Sequence, residues 1–308
     1  MKAHVILNPA SAGGKTARKQ PYLIKALERS LGKNYSRCVT RRPREATSSA
    51  QDAIRNGCDL IVAMGGDGTI QEVVNGFFSE GRLLSSSCEL AIISSGTGRG
   101  FAQSLGLPTK LDDQVEIVTD GETRSVDVGK VSFRLADGKM AERFFVNECQ
   151  GGIGGVVVRD VGTNYKRLGG LAAFGFVTLS RALHHRGQLI EAVIDDGLEI
   201  ERPLLGVIIA NGAYAGGGMC LAPHARIDDG LLDLVMIHDQ SLTQRFKSFS
   251  GIYSGRHIDS PFFSYYQGKR FRISSPEAVI LEADGELLGS LPCTTEILPR
   301  VLKIKTRK

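Results

Sequence analysis

The segment Gly65-Gly66-Asp67-Gly68-Thr69 constrains the fold of this chain more than any other. It follows a short apolar run at 60–64 and precedes four apolar residues that recur with helical spacing between 70 and 77, so it connects a buried strand to a helix. Glycines at such a turn allow backbone N–H groups and the helix N-terminus to face a polyphosphate without interference from Cβ atoms. The carboxylate of Asp67 would be repelled by phosphate, which predicts a metal ion or its bound water between them.

A second glycine turn, Gly96-Thr97-Gly98-Arg99-Gly100, follows another apolar run at 90–93 and precedes a short helical segment. If the two strands are parallel, both turns lie at the carboxyl edge of the sheet, where open α/β sheets bind ligands. Either turn alone is also compatible with a tight turn that binds nothing. The two together, at this spacing, favour a nucleotide site.

The length of 308 residues predicts two domains, and a composition of 42% hydrophobic and 23% charged residues is typical of a globular protein. The six cysteines form no C-x-x-C pair and have no histidine at ligand spacing. This argues against a zinc site or a disulfide framework and favours the reducing cytoplasm. The chain begins directly with a strand-like segment, so we expect no signal peptide. The longest apolar run, 169–179, is about half of the roughly 20 residues that a membrane-spanning helix needs.

The formal net charge of +5 is mild, and the densest basic segments are 41–44 and 303–308. No aromatic residues alternate with these basic residues and no nucleic-acid-binding motif is present, so we expect no nucleic-acid partner. A solvated basic rim, a phosphate contact and attraction to anionic lipid remain open for these segments.

Strand-like and helix-like segments alternate over residues 1–125, which predicts a nucleotide-binding α/β domain with a parallel sheet covered on both faces. The predicted strands are 4–7, 35–40, 60–64 and 90–93, and the predicted helices are 16–31, 46–56, 69–78 and 100–105. Pro21 interrupts the first helical segment, so we expect the helix to begin at Pro21 after a looser turn.

Residues 126–298 instead contain a succession of strand-like runs with few helices, which predicts an antiparallel sandwich or barrel. The runs are 126–131, 143–149, 188–195, 198–203, 205–210, 231–237, 270–274, 278–283 and 293–298. Asp195-Asp196-Gly197 predicts a hairpin between two of them, and helical insertions are expected near 168–185 and 241–253. Residues 299–308 contain a final strand at 301–304 that can belong to either domain.

Four further motifs complete the pattern. The first strand ends in N-P-x-S-x-G-G at 8–14, and the second half contains G-G-G-M-x-L-A-P at 216–223, D-D-G-L-L-D at 228–233 and D-G-E at 284–286. In this order the motifs resemble those of the diacylglycerol kinase catalytic family, bacterial lipid kinases related to sphingosine and ceramide kinases. The resemblance covers essentially the whole chain. It implies an N-terminal NAD-kinase-like α/β domain, a C-terminal antiparallel β-sandwich and a last strand that returns to the first domain.

The resemblance also implies the cofactors ATP and Mg²⁺ and the residues that bind them. The implied nucleotide contacts are Asn8, Thr40, Gly65, Gly66, Asp67, Gly68, Thr69, Gly96 and Thr97. Mg²⁺ would be held by the carboxylate of Asp229 and the backbone carbonyls of Arg226 and Leu231. Glu286 is the implied proton acceptor, and Asp67 is the second catalytic carboxylate.

One position departs clearly from the family, which usually has Asn-Asp where this chain has Arg99-Gly100. The change adds a cation and removes a carboxylate that would join the magnesium–water network. A guanidinium here could bind an ATP phosphate or an anionic acceptor group as a fork of donors, so Arg99 is included among the nucleotide contacts. The alternative is that Arg99 points to solvent.

These motifs suit phosphoryl transfer, which needs alignment and charge stabilisation more than covalent catalysis. We therefore predict an ATP- and Mg²⁺-dependent kinase that phosphorylates a lipid hydroxyl, with diacylglycerol as the expected acceptor and phosphatidic acid as the product. The alternatives are an NAD kinase-like enzyme, which shares the first glycine turn, and a nucleotide-binding regulator that has lost catalysis. A lipid substrate implies a cytoplasmic enzyme with peripheral contact at the inner membrane face, for which 169–176 is a candidate. The choice between monomer and homodimer is left open.

Overall fold

The computed structural model describes residues 1–32, 35–96, 98–164 and 170–307. The chain divides into two compact units, Met1–Asp127 with Arg300–Lys308, and Val128–Pro299. The helices are α1 Lys15–Leu31, α2 Glu45–Arg55, α3 Asp67–Gly76, α4 Gly100–Ser104, α5 Leu111–Asp120, α6 Ile153–Asn164, α7 Gly170–His184 and α8 Leu242–Gly251. The first nine strands are β1 Ala3–Leu7, β2 Tyr35–Val39, β3 Leu60–Gly65, β4 Phe78–Ser79, β5 Arg82–Leu83, β6 Glu89–Ser94, β7 Glu122–Arg134, β8 Met140–Phe145 and β9 Glu148–Gly152. The others are β10 Gln188–Ile194, β11 Leu198–Ala210, β12 Tyr214–Ala215, β13 Met219–Cys220, β14 Leu232–His238, β15 Phe263–Gly268, β16 Arg270–Ser274, β17 Ile280–Ala283, β18 Glu286–Ser290 and β19 Cys293–Thr306.

The first unit is built on a parallel sheet in the order β2-β1-β3-β6-β19. Strand β3 is buried along its whole length, as expected for a strand with helices on both faces. Leu23 and Leu27 of α1 and Val115 and Val118 of α5 pack into one apolar core with residues of β1, β3 and β6. The predicted α/β domain with a parallel sheet is confirmed, although helix α5 was not predicted.

The expectation that the first helix begins at Pro21 is wrong. Helix α1 runs from Lys15 to Leu31 with Pro21 inside it. A proline within a helix costs about 3 kcal/mol or more, because one backbone hydrogen bond is lost and the ring crowds the preceding turn. Leu23 and Leu27 are completely buried, and burial of a leucine side chain contributes about 1.5–3 kcal/mol. The packing of α1 on the sheet therefore offsets the cost of the proline.

The second unit is antiparallel, as predicted, and forms a β-sandwich around an apolar core. The runs predicted separately at 198–203 and 205–210 are one strand, β11, because its first half pairs with β10 and its second half with β14 and β9. The predicted hairpin at 195–197 is confirmed, since Asp195 and Asp196 have φ of 47° and 59° and Ile194 pairs with Leu198. Strands β15 and β18 and helix α6 were not predicted. Among the described helices, none is both long enough and apolar enough to cross a bilayer.

Candidate active site

The two glycine turns pack directly against each other. Strands β3 and β6 are parallel neighbours in which Gly65 is opposite Ser94, so both turns leave the sheet at the same edge. A Cβ atom built on Gly96 would lie only 2.6 Å from the Cα of Gly66, which leaves no room for a side chain at position 96. The predicted convergence of the two turns is confirmed, and glycine at 96 is required by this close approach. Thr97 lies outside the described residues.

Asn8 and Thr40 lie at the same edge of the sheet. The Asn8 side chain joins the end of β1 to the first turn of α3, because its Nδ2 donates to Thr69 Oγ1 at 3.0 Å. The backbone N–H of Thr40, which follows β2, donates to the carbonyl of Leu7 at 2.8 Å. A Cβ atom on Gly65 would come within 2.5 Å of Thr69 Oγ1, so this position also has to be glycine. Asn8, Thr40 and the first glycine turn are therefore grouped around the carboxyl ends of β1, β2 and β3.

The N-terminus of α3 is open to an anion. Its N-cap residue is Gly66, which has no side chain to cap the first N–H groups of this ten-residue helix. Gly68 is exposed, and a Cβ atom there would have no neighbour within 4 Å among the residues that the structure describes. Uncapped N–H groups together with the helix dipole favour a phosphate at such a position.

Asp67 lies half-buried between the two turns. Desolvation raises the pKa of its carboxyl group, and the backbone N–H groups of Gly100 and Phe101 oppose this shift. Its Oδ1 atom is buried and has no hydrogen-bond partner among the described residues. A buried carboxylate oxygen without a partner is unfavourable, so Asp67 retains the capacity to accept one more donor, such as a water.

Arg99 supports the loop that follows α4. Its Nη2 atom donates to the carbonyl oxygens of Leu107 at 3.2 Å and of Pro108 at 2.7 Å. Arg99 is only partly accessible, and burial lowers its pKa. Sequence reasoning considered a phosphate contact or a solvated side chain and missed this structural role, which depends on backbone atoms eight and nine residues away. That Arg99 also contacts a nucleotide stays a prediction.

In the second unit the D-D-G motif forms a turn before β14. Gly230 has φ of 76°, and the Leu231 N–H donates to Asp229 Oδ1 at 3.1 Å. The side chains of Arg226 and Asp229 are exposed. The three residues predicted to hold Mg²⁺ thus belong to one short segment. In the described part of the chain, no group of three or more histidine, cysteine, aspartate or glutamate side chains is arranged to hold a metal ion.

The donor set predicted for Mg²⁺ at this segment is chemically suitable. It consists of one exposed carboxylate, that of Asp229, and two backbone carbonyl oxygens, those of Arg226 and Leu231. Mg²⁺ prefers oxygen ligands, commonly binds through one or two carboxylates and retains several waters. The residues present therefore fit the ion in kind.

Asp233, the last residue of the D-D-G-L-L-D motif, is a polar residue that sequence reasoning did not single out. It is fully buried, and its Oδ1 accepts hydrogen bonds from Tyr265 Oη at 2.5 Å and Gln267 Nε2 at 2.9 Å. Desolvation raises its pKa, which these two bonds partly oppose, and the nearby Asp229 raises it further. Its sequence signals were its position at the end of the D-D-G-L-L-D motif and its occurrence as an aspartate in an otherwise apolar strand.

The D-G-E motif forms the two-residue turn between β17 and β18. Asp284 and Gly285 have φ of 47° and 83°, and Ala283 pairs with Glu286 across the turn. These angles are those of a type I′ hairpin. The Asp284 carboxylate accepts the N–H groups of Val146 at 2.7 Å, Asn147 at 2.9 Å and Glu148 at 3.1 Å. Asp284 therefore fixes the turn to the start of β9.

Glu286 begins β18 with its side chain 36% exposed and 3.6 Å from Arg143 Nε. A carboxylate in this position is accessible to a substrate hydroxyl, unlike the buried carboxyl groups of Asp233 and Glu282. The turn that Asp284 fixes therefore carries an accessible carboxylate, and the role of Glu286 as a proton acceptor stays a prediction.

Comparison with known proteins supports this interpretation of the motifs. The model of the diacylglycerol kinase catalytic domain matches residues 2–131, and that of the YegS C-terminal NAD kinase beta sandwich-like domain matches residues 150–306. The two matches together cover most of the chain. The chain belongs to the diacylglycerol kinase catalytic family. It is accordingly a kinase, a phosphotransferase with an alcohol group as acceptor.

Individual proteins also match this chain along nearly its whole length. A diacylglycerol kinase from Staphylococcus haemolyticus strain JCSC1435 is 29% identical over 306 residues, which cover 99% of this chain and 88% of that protein. A diacylglycerol kinase structure from Bacillus anthracis strain Sterne is 22% identical with a TM-score of 0.71, covering 99% of this chain and 97% of its own. Yeast NADH kinase, solved with NADH, is 13% identical with a TM-score of 0.56, covering 100% and 84%. These two structures establish the fold alone, and the predicted NAD-kinase-like architecture is confirmed.

Proposed function

We propose that this protein is an ATP- and Mg²⁺-dependent lipid kinase that transfers the γ-phosphoryl group to the hydroxyl of diacylglycerol, giving phosphatidic acid. The observation that supports this most is the hairpin turn at 284–286, in which three backbone hydrogen bonds hold Asp284 and leave Glu286 accessible. The glycine turns are common to several nucleotide-binding kinases, whereas a fixed carboxylate at this turn suits an enzyme that deprotonates a hydroxyl.

In the proposed reaction the first unit binds the nucleotide. The uncapped N–H groups at the start of α3 contact the phosphates. Because the two packed turns consist largely of glycine, no side chain keeps the phosphates away from the backbone. Asn8, Thr40 and Thr69 border the same edge. Asp67 accepts a water or another donor next to the phosphates, through the oxygen that has no partner in the described part of the chain.

In the second unit Glu286 acts as the proton acceptor for the substrate hydroxyl. Its carboxylate is partly exposed and forms an ion pair with Arg143, whose Nε atom lies 3.6 Å from Glu286 Oε2. Mg²⁺, which Asp229 and the carbonyls of Arg226 and Leu231 would hold, would supply charge neutralisation for phosphoryl transfer. The proton moves from the acceptor oxygen to Glu286 as the new P–O bond forms, while the bond between the γ-phosphorus and the β–γ bridging oxygen of ATP breaks and ADP leaves.

Two other functions have a specific observation in their favour. The first glycine turn, which NAD kinase-like enzymes share, favours a nucleotide cofactor as acceptor. The glycine at 100, where the family usually has a carboxylate, favours a nucleotide-binding regulator without catalysis. Labelled-phosphate transfer from ATP to a panel of diacylglycerol, sphingosine, ceramide, monoacylglycerol and NAD separates the three. Transfer to diacylglycerol supports the proposal, transfer to NAD alone replaces it, and no transfer despite ATP binding indicates the regulator.

A lipid substrate further suggests peripheral binding at the cytoplasmic face of the membrane. Helix α8 exposes Leu242 and Phe246, at 62% and 58%, one helical turn apart, with Lys247 exposed beside them. Helix α7 packs against α8 and exposes Phe176. Neither helix contains an acidic residue. Exposed apolar side chains with basic neighbours are typical of helices that lie in an anionic bilayer surface. Gly169, at the start of the candidate segment 169–176, lies outside the described residues.

Vesicle sedimentation tests the membrane contact without requiring activity. We expect binding to vesicles that contain anionic phosphatidylglycerol at low salt, and about tenfold weaker binding for Phe246→Gln, because a buried phenylalanine contributes about 1.5–3 kcal/mol. Leu198→Gln is the matched control, since Leu198 is equally an exposed apolar residue, but on the hairpin between β10 and β11. Equal losses for both variants, or no binding by the wild type, would exclude α8 as the contact.

A further inference from the structure

A second carboxyl group is bonded to the D-G-E turn from inside the sandwich. Glu282 lies on β17, two residues before Asp284, and is completely buried. Its Oε2 atom accepts the N–H of Gly285 at 2.8 Å, while Oε1 has no hydrogen-bond partner among the described residues. Glu282 therefore accepts the hydrogen bond of the turn from its buried side.

The surroundings of Glu282 favour the neutral form of its carboxyl group. Glu282 pairs with Gln150 across β17 and β9, and both Gln150 and Asp284 face it. Burial above all raises its pKa, the negative charge of Asp284 acts in the same direction, and the bonds from Gly285 and Gln150 oppose the shift; the net pKa is about 8 instead of 4.5. A neutral carboxyl group can remain in an apolar interior at far lower cost than a carboxylate. The bond to Gly285 is therefore compatible with complete burial.

The two carboxyl groups hold different parts of the turn. Asp284 binds three N–H groups of residues 146–148 and so fixes the position of the hairpin end. It does not fix the orientation of the peptide that joins it to Gly285. The bond from the Gly285 N–H to Glu282 Oε2 fixes the orientation of that peptide.

We propose that Glu282 is a positioning residue for Glu286, which it holds in the reactive orientation by fixing the Gly285 peptide that precedes it. This inference rests on the proposed role of Glu286 as the proton acceptor. It assigns to Glu282 no contact with substrate and no proton transfer. Its effect is on the rate of the chemical step and not on nucleotide binding, because the nucleotide contacts are in the other unit.

Steady-state kinetics of Glu282→Met and Glu282→Gln test the proposal. Methionine has nearly the same length and suits a buried site, but it cannot accept the Gly285 N–H. We expect a fall in kcat of about tenfold or more with KM for ATP unchanged, since misplacement of a reacting group by about 1 Å can cost 10²-fold. Glutamine retains an oxygen acceptor and should keep kcat within about twofold. Glu199→Met, at an exposed glutamate on β11, is the control and should behave as wild type.

The same substitutions in a Glu286→Gln background separate positioning from general damage. If Glu282 acts through Glu286, then Glu282→Met should cause no further loss once Glu286 is already disabled. An equal loss in both backgrounds, or a kcat for Glu282→Met within twofold of wild type, would overturn the proposal. If Glu282→Met does not fold, a folded Glu282→Gln with strongly reduced kcat overturns it instead. Failure of Glu286→Gln to reduce kcat would reject the proposed base, which is a separate result.

Discussion

Substitution of Gly96 by alanine probes the contact between the two glycine turns. The added Cβ atom would lie 2.6 Å from the Cα of Gly66, whereas contacts below 3.4 Å already require a neighbour to move. One turn must therefore shift by about 0.8 Å or more, and because the obstructing atom is backbone, no side-chain rotation can relieve the contact. Overpacking of this kind destabilises by about 1–3 kcal/mol.

The same shift should impair nucleotide binding. It moves the N–H groups at the start of α3 relative to the second turn, and loss of a single hydrogen bond to a charged phosphate costs about 1.5–3 kcal/mol. That corresponds to an increase in Kd for ATP of about 10- to 100-fold. Isothermal titration calorimetry with a non-hydrolysable ATP analogue measures the Kd, and thermal unfolding measures the stability of the same samples.

Gly68→Ala is the matched stability control. Gly68 lies in the first turn of α3, where an added Cβ atom meets no atom of the described residues within 4 Å. Alanine has the higher helix propensity, by about 0.8–1 kcal/mol, so the unfolding temperature of this variant should not fall. A folded Gly96→Ala protein that binds the ATP analogue within twofold of wild type would refute the assignment of the packed turns to the nucleotide site.

Three further predictions concern stability. Pro21→Ala should stabilise the protein by about 2 kcal/mol, seen as a higher midpoint in urea, because it restores a helix hydrogen bond in α1; an unchanged midpoint would contradict this. Arg99→Met should destabilise by about 1–3 kcal/mol through loss of the bonds to Leu107 and Pro108, whereas a Tm equal to that of wild type would show that these bonds contribute nothing. The pKa of Glu282 is raised in the folded state, so the unfolded chain releases this proton at a lower pH than the folded protein does. The contribution of Glu282 to the free energy of unfolding is therefore complete below about pH 4.5 and is lost as the pH rises towards 8. Glu282→Gln should therefore gain stability relative to wild type between pH 5 and pH 8 in urea titrations, and a constant difference would be the contrary result.

The elements that sequence reasoning predicted correctly are those with a local signal. Helix α3 has its apolar residues at helical spacing, and Val73, Val74 and Phe77 are all buried. The hairpin at 195–197 was recognisable from its Asp-Asp-Gly turn. Helix α5 and strand β15 were missed because their patterns are weak. Most residues of β15 are half-buried, so they show no clear alternation, and α5 has only a narrow apolar stripe.

The candidate site shows the same difference between features with a local sequence signal and features without one. The motifs predicted which residues lie at each turn, because their glycines and carboxylates are adjacent in sequence. The contacts that hold the turns in place connect distant parts of the chain, as between Asp284 and the backbone of residues 146–148. The packing of Gly66 on Gly96 and the bonds of Asp233 to Tyr265 and Gln267 depend equally on tertiary structure. The sequence predicted that the two glycine turns converge, but it contains no signal for which atoms meet in these contacts.

Single-turnover transfer of labelled phosphate from ATP to a short-chain diacylglycerol, compared between wild type and Glu286→Gln, tests the central claim most directly. Glutamine preserves the shape of the side chain but cannot accept the substrate proton, and loss of a general base typically costs about 10²–10⁴ in rate. We predict Mg²⁺-dependent transfer by the wild type and a fall of that size for the variant, with ATP affinity within twofold. Transfer by Glu286→Gln at more than about a third of the wild-type rate would contradict the account.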